Sequence, residues 1–221
     1  AKHGNRAMSG ACGSADVLEA LGVNIDLGPD GVKRCLEEVG FGFMFAQRFH
    51  PSMRFAAGPR REIGIRTVFN LLGPLTNPAG ARHQLLGVAD AGMAEKMSHV
   101  LHLLGSKHAI LVNGCDGMDE ITPAADTKIW ELRDGSIRTY TVSPRDLGFS
   151  GGCLDQIAVS SPDESAAILR GVLEVKPGLA RDVVLMNSAA ALLAADRVVT
   201  LSDGVLMSAE SVDSGQALAK L

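Results

Sequence analysis

Several features that mark particular classes of protein are scarce in this sequence of 221 residues. Aromatic residues make up only 4% of it. No apolar run reaches the roughly 18 residues that a membrane-spanning helix needs, and no signal peptide is recognisable. Its cysteines never occur as Cys-x-x-Cys, so neither a structural zinc site nor a redox motif is indicated. These absences predict a reduced, cytoplasmic protein with no membrane partner.

An excess of positive charge is also missing. The formal net charge is −4 at pH 7, although 21% of the residues are charged. Neutralising nucleic-acid phosphates usually requires a basic field, so the overall charge disfavours a nucleic-acid partner. The length and the 46% hydrophobic content suffice for one sizeable core. We therefore expect a single domain over residues 1–221.

Hydrophobic periodicity alternates between strands and helices along the chain. Buried strands are predicted for FGFMFA, HQLLGVA and KHAILVNG, and TKIWELRDGSIRTYTV predicts a hairpin that turns at Asp134-Gly135. Helices are predicted for SADVLEALG with Ser14 as N-cap, PDGVKRCLEEVG, AGMAEKMSHVLHLLG, SPDESAAILRGVLEV, GLARDVVLMNSAAALLAAD and a last segment ending at Leu221. This alternation indicates an α/β fold with a mostly parallel central sheet flanked by helices.

The first segment that could bind a ligand is KHGNR followed by SGACGS, which leads into a predicted helix. Glycine-exposed backbone N–H groups at a helix start can form an anion site. Lys2 and Arg6 add positive charge, and Ser9 and Ser14 add hydroxyl groups. The alternative interpretation is an ordinary polar loop before a helix, because the spacing matches neither a Walker loop nor a dinucleotide fingerprint.

The second segment is GCDGMDEIT, which follows the predicted strand KHAILVNG. Asp116, Asp119 and Glu120 lie just beyond a strand end, where open α/β sheets bind their ligands. Carboxylates of this kind suit Mg²⁺, which completes its coordination with water and substrate phosphates. A solvated acidic turn is the alternative.

A third segment, rich in glycine and proline, runs over residues 59–80 and is predicted to be irregular and functional. It begins with the consecutive arginines Arg60 and Arg61. A guanidinium group there could bind a carboxylate in bidentate fashion. The alternative is an exposed basic face.

Four quoted segments together resemble one enzyme family. KHGNR, SADVLEALGVNIDL, HPSMRFAAGPRREIGIRTVFNLLGPLTNPA and GMDEIT, in this order, are similar to anthranilate phosphoribosyltransferase. The resemblance implies the α/β domain of the nucleoside phosphorylase and phosphoribosyltransferase type. It also implies transfer of a phosphoribosyl group from phosphoribosyl pyrophosphate to the anthranilate amine, with release of pyrophosphate, in tryptophan biosynthesis.

The resemblance also implies roles for individual residues. The residues matched to the ribose and phosphates are Lys2, Asn5, Ser9 and Ser14. Those matched to anthranilate are His3, Asn5 and Arg60, which are the expected catalytic residues, with His50, Met53 and Pro74 lining the approach. Asp119 and Glu120 match the pair that binds Mg²⁺, the expected cofactor. His3 as the proton acceptor is a hypothesis.

The sequence departs from the family pattern in two places. Ala11-Cys12 stands where relatives commonly carry Lys or Arg and then Ser. The helical domain, GTGGD pyrophosphate loop and N-S-T segment of the family do not occur in these residues. We therefore expect an N-terminally truncated portion with little or no activity by itself. Full-length members are expected to be homodimers.

Two other functions remain open at the level of the sequence. The chain could be a non-catalytic relative of the same fold that binds a ligand or nucleic acid. It could also be a relative of the pyrimidine nucleoside phosphorylases, which KHGNR and GPLTNP disfavour.

Overall fold

A computed structural model describes the chain over residues 1–7, 11–64, 67–195, 197–202 and 205–211. At residues 57, 60, 61, 70, 197–202 and 205–211 it describes the backbone alone. The chain divides into two compact units, Ala1–Ala81 with Val159–Ile168, and Arg82–Ala158 with Leu169–Leu221. The assignment of one domain to residues 1–221 stays a prediction.

The first unit is mostly helical around a pair of short strands. Its elements in residues 1–81 are β1 (Lys2–Gly4), α1 (Ser14–Ala20), α2 (Pro29–Glu38), β2 (Phe43–Phe45), α3 (Ala46–Phe49), a 3₁₀ turn (Pro51–Met53), α4 (Arg54–Ile63) and α5 (Phe69–Leu75). The two strands pair in parallel, with His3 opposite Met44. Buried Ala15, Ile25, Phe43 and Phe45 form the core beside this pair.

Two sequence predictions have different outcomes in this unit. The strand predicted for FGFMFA is confirmed as β2, whose three residues are all buried. The prediction of an irregular segment over residues 59–80 is wrong over much of its length, because α4 and α5 occupy it. The helical parts of this segment contain arginine, glutamate and leucine, which favour helix and outweigh its glycines and prolines.

The second unit contains a four-stranded sheet of order β3-β4-β5-β6. Its elements up to residue 158 are β3 (His83–Gly87), α6 (Ala91–Leu103), β4 (His108–Gly114), β5 (Thr127–Arg133), β6 (Ser136–Val142) and a 3₁₀ turn (Leu154–Gln156). Helix α7 (Pro162–Leu173) has residues in both units. It is followed by α8 (Leu179–Ala194), β7 (Arg197–Ser202) and β8 (Val205–Ser211). The core cluster under the sheet comprises Ile110, Val112, Ile121, Ile129, Met186 and Ala194.

The α/β class is confirmed, but the prediction of a mostly parallel sheet is wrong for the strands that the structure describes. β3 and β4 are parallel, whereas β4-β5 and β5-β6 are antiparallel. The hairpin between β5 and β6 imposes the second antiparallel pairing. It turns, as predicted, at Asp134 and Gly135, which both have positive φ (47° and 83°).

A last helix ending at Leu221 stays a prediction, and two strands that the sequence did not predict precede residue 212. β7 and β8 form an antiparallel pair there, and residues 212–221 lie outside the described residues. The run RVVTLS is rich in β-branched residues, which favour strands. Among the described helices, none is both long and apolar enough to cross a membrane.

Candidate functional site

The described residues of the loop between β1 and α1 contact the start of α1. Asp16 accepts hydrogen bonds through Oδ2 from the backbone N–H groups of Ala7 (2.9 Å) and Gly13 (2.8 Å). These bonds explain why the pKa of Asp16 is lowered. Gly13 is the N-cap and Ser14 the first helical residue, so the prediction of Ser14 as N-cap is wrong by one position. The Ser14 hydroxyl donates to the Asn5 carbonyl at 3.5 Å.

The two basic side chains of this loop contact the protein itself. The Arg6 guanidinium binds the Glu19 carboxylate and lies 3.2 Å from Oδ1 of Asp16. Its charge is therefore matched by acidic groups of α1. Lys2 Nζ donates to the His3 carbonyl at 3.0 Å.

Two histidines from separate segments meet in the first unit. The rings of His3 and His50 contact edge to face, with centroids 4.9 Å apart and an interplanar angle of 71°. Nδ1 of His3 lies 3.2 Å from the Gly73 carbonyl oxygen. Because a carbonyl only accepts, Nδ1 carries the hydrogen in the neutral ring and Nε2 keeps a lone pair. Nε2 of each histidine is buried and has no hydrogen-bond partner among the described residues.

The surroundings of His3 favour its neutral form. Burial is the main cause that lowers the pKa of the imidazole, and His50 and Lys2 act in the same direction. The hydrogen bond to Gly73 opposes this shift without reversing it. His3 thus presents an unprotonated nitrogen, which is the state that accepts a proton.

The other residues predicted for this unit have different outcomes. Pro74 follows Gly73 directly within α5, so the backbone bonded to His3 belongs to the predicted substrate segment. Met53 ends the 3₁₀ turn that begins just after His50. The backbone of Arg60 lies in α4, and its side chain is outside the described part of the structure. Ser9 is outside the described residues.

The acidic loop of the second unit connects β4 to β5. The Gly114 N–H donates to the Met118 carbonyl at 2.7 Å, which closes a tight turn. Asp116 stabilises this turn, because its carboxylate accepts from the Met118 N–H (3.1 Å) and from the Thr122 hydroxyl (2.6 Å). Asp119 and Glu120 are exposed beyond it.

The predicted carboxylate pair fits a hard cation in donor chemistry. Both side chains offer oxygen ligands, and Mg²⁺ is commonly bound through one or two carboxylates plus substrate phosphates. The loop also packs tightly against β3, since a Cβ added at Gly87 would lie 1.7 Å from the Asp119 carbonyl oxygen. No group of three or more metal-ligating side chains occurs among the described residues.

Asn187 of α8 contacts this loop, although none of the sequence motifs includes it. Its Oδ1 accepts from the Ile121 N–H at 2.9 Å, and its Nδ2 donates to the Ile121 carbonyl at 3.0 Å and to the Val183 carbonyl at 2.9 Å. A signal was present in the sequence. Asn187 lies on the same face of an apolar helix as Val183, where a polar residue needs a buried partner.

Comparison with known proteins assigns the chain to a family. Residues 1–218 match the model of "Glycosyl transferase family, a/b domain". The chain belongs to the glycosyl transferase family. Among curated family members, it is 52% identical over 223 aligned residues to an anthranilate phosphoribosyltransferase of Dehalococcoides mccartyi, and 55% identical over 221 residues to that of Moorella thermoacetica. The whole of this chain is covered in both comparisons, and it spans 65% of the length of each relative.

Solved structures agree with this family assignment. The anthranilate phosphoribosyltransferase of Thermus thermophilus superposes with a TM-score of 0.82 at 42% identity, over 88% of this chain and 57% of that one. The Saccharomyces cerevisiae enzyme in complex with PRPP and Mg gives a TM-score of 0.80 at 30% identity, over 88% of this chain and 55% of that one. The resemblance drawn from the sequence motifs is therefore confirmed.

Proposed function

We propose that this chain carries the α/β part of an anthranilate phosphoribosyltransferase. The reaction would transfer the phosphoribosyl group of phosphoribosyl pyrophosphate to the amine of anthranilate and release pyrophosphate. The observation that carries the proposal is the state of His3, whose Nδ1 is bound to Gly73 and whose buried Nε2 is left as a proton acceptor. The relatives named above support the choice of substrates.

His3 would act on the attacking amine. The amine nitrogen forms a bond to the anomeric carbon of the ribose while the bond from that carbon to pyrophosphate breaks. The amine then carries a surplus proton, which Nε2 of His3 takes up. An aromatic amine is already nucleophilic, so positioning supplies much of the rate and a strong base is not required.

The remaining residues of the first unit would bind and orient the substrates. We assign Arg60 and Asn5 to anthranilate, with His50, Met53 and Pro74 along its approach. The ribose and phosphates would be bound by Lys2, Asn5, Ser9 and Ser14. The fold of the loop after β1 supports these assignments, since the Ser14 hydroxyl and the Asn5 backbone lie in contact.

In the second unit, Asp119 and Glu120 would hold Mg²⁺. When bound, this ion neutralises charge on the departing pyrophosphate. The exposure of both side chains and the hydrogen-bonded turn before them support this role.

We further propose that the chain by itself has little or no transferase activity. It spans only 65% of the length of the relatives above, so part of what those proteins use is outside these residues. Homodimer formation, which is expected of full-length family members, and a cytoplasmic location remain predictions.

Ligand binding tests the proposed function without relying on turnover. Anthranilate is titrated into the 221-residue chain while the histidine ring signals are followed by NMR. The His3 and His50 signals should shift, and those of the exposed His99 and His102 on α6 serve as internal controls. Unchanged His3 and His50 signals at saturating anthranilate would contradict the proposal. Robust turnover by the purified, mass-verified chain would refute the expected inactivity.

A further inference from the structure

Every hydrogen-bonding group of the Asn187 side-chain amide has a partner. Its carbonyl oxygen accepts one hydrogen bond and both of its N–H groups donate, two of the three bonds being to the backbone of Ile121. Asn187 is only 9% exposed, and the cluster around Ile121 is apolar. Burying an amide in such surroundings stabilises the fold only modestly even when every bond is made. Leucine would fill the same space in the apolar core equally well. We therefore infer that the amide serves to hold the backbone of Ile121 in position.

Ile121 is the residue that directly follows the acidic pair. Its side chain is 4% exposed and belongs to the core cluster of the second unit. Asn187 binds both its N–H and its carbonyl, in the way a neighbouring strand would. The side chain and the backbone of Ile121 are thus both fixed, and the chain cannot rotate there without breaking these bonds.

The acidic pair is fixed on its other side as well. The Met118 carbonyl accepts from the Gly114 N–H at 2.7 Å, and the Asp119 carbonyl lies against Gly87. Asp119 and Glu120 therefore lie between two anchored residues, Met118 and Ile121. The backbone between these anchors is too short to reorient freely.

We propose that Asn187 is a positioning residue for the metal-binding carboxylates of Asp119 and Glu120. The inference rests on the proposed Mg²⁺ role of this pair. Asn187 acts through the backbone of Ile121, as residues behind the ligands of a metal commonly do when they orient those ligands. Removing its amide leaves both carboxylates in place but lets them adopt several orientations, which weakens cation binding.

The test replaces the amide by an apolar group of similar size, Asn187→Leu. Mn²⁺ replaces Mg²⁺ as the probe, with free Mn²⁺ measured by electron paramagnetic resonance and the bound ion located by broadening of amide signals at residues 117–121. We expect the Mn²⁺ dissociation constant to rise about 10–100-fold, the usual range for such positioning residues. Exchange of the Ile121 amide proton should also become faster.

Two further variants separate the possible outcomes. Met97→Ala removes a core side chain of α6 that is 4% exposed, and it controls for lost stability. It should lower the unfolding midpoint without changing Mn²⁺ affinity. Asp119→Asn should abolish the broadening at the loop. If Asn187→Leu does not fold, Asn187→Asp replaces it, since it keeps the acceptor for the Ile121 N–H and loses both donors.

The results test the role of Asn187 separately from metal binding by Asp119 and Glu120. Wild-type Mn²⁺ affinity in Asn187→Leu or Asn187→Asp, with loss of binding in Asp119→Asn, would overturn the role of Asn187 and leave the metal assignment standing. Wild-type affinity in Asp119→Asn would overturn the metal assignment and this inference together.

Discussion

Nε2 of His108 and Oε1 of Glu131 lie 2.9 Å apart inside the four-stranded sheet, and both residues are almost completely buried. Strand register explains the contact, because Glu131 is paired with Ile110, two residues along β4 from His108 on the same face. The second oxygen, Oε2, accepts from the Arg138 guanidinium (3.2 Å) and from the Tyr140 hydroxyl (3.3 Å). Both carboxylate oxygens are thus bonded, as a buried charge requires.

Removing the Glu131 carboxylate should therefore be costly. We expect Glu131→Ala to lower the free energy of unfolding at pH 7 by about 3–5 kcal/mol, because the buried His108 ring loses its carboxylate partner. Glu131→Gln keeps an acceptor oxygen and should cost less. Urea denaturation of the three proteins measures the difference. Equal stability of Glu131→Ala and wild type would contradict this account.

The same carboxylate should make stability depend on pH. The His108 hydrogen bond, more than any other contact, lowers the pKa of Glu131 from its ordinary value of 4.5. The unfolded chain then takes up the proton first as the pH falls, so the contribution of Glu131 is present above 4.5 and is lost as the pH drops through the folded value. Denaturation between pH 7 and pH 3 should show a smaller loss for Glu131→Gln than for wild type. Equal losses of stability with falling pH in wild type and Glu131→Gln would rule out Glu131 as the cause.

His3 should show the linkage expected of a half-buried histidine whose neutral form is favoured. Its folded pKa lies below the ordinary 6.5, so the unfolded state binds the proton first. Stability is therefore retained above 6.5 and decreases as the pH falls towards the folded value. NMR titration should place the midpoint of the His3 ring below 6.5, and His3→Gln should remove this part of the pH dependence. A midpoint above 6.5 would contradict the neutral state on which the proposed proton transfer depends.

Val175, just after α7, has a backbone conformation that favours glycine. Its φ is 62°, and it is 42% exposed. Its N–H donates to the Val172 carbonyl, and the Lys176 N–H donates to the Gly171 carbonyl, which ends the helix. Val175→Gly should raise the free energy of unfolding by about 1 kcal/mol, because a Cβ is strained at positive φ. Leu173→Gly, within the helix and exposed, is the matched control and should lower stability. If Val175→Gly lowers stability as Leu173→Gly does, the backbone of Val175 is not strained.

The close contact between Gly87 and Asp119 predicts a strong effect of one methyl group. A Cβ at position 87 would meet the Asp119 carbonyl oxygen at 1.7 Å, so the acidic loop must move. Gly87→Ala should lower the free energy of unfolding by about 1–3 kcal/mol, as overpacking does, and should weaken Mn²⁺ binding. Gly58→Ala in α4 is the control, since nothing lies within 4 Å of its added Cβ. A neutral Gly87→Ala would show that the loop is free to shift.

Local patterns predicted the elements that local interactions determine. The Asp134-Gly135 turn and the strands around it needed only turn chemistry and alternation. The direction in which β4 and β5 pair is set by the loop between them, which apolar periodicity does not encode. The Ser14 N-cap was displaced to Gly13 because the Asp16 side chain, rather than a serine hydroxyl, binds the loop backbone.

The candidate site was predictable only in part, because it too depends on contacts between segments that are distant in the sequence. Family resemblance named His3 and His50, but nothing in their spacing predicted that the two rings touch. Asp116 was grouped with Asp119 as a possible ligand, whereas its carboxylate is bonded to Met118 and Thr122. Such distinctions depend on contacts across many residues, and a sequence pattern does not report them.

The bond between His3 and the Gly73 carbonyl joins groups 70 residues apart in the chain, and this separation has a consequence for folding order. Contacts of long sequence separation form late, because the loop between them must lose its entropy first. The bond within the acidic turn from Met118 to Asp116 spans only two residues. During refolding, we expect the acidic turn to be protected from hydrogen exchange well before the histidine rings meet. The lowered pKa of His3, which depends on the folded surroundings of its ring, would then be established after the acidic turn.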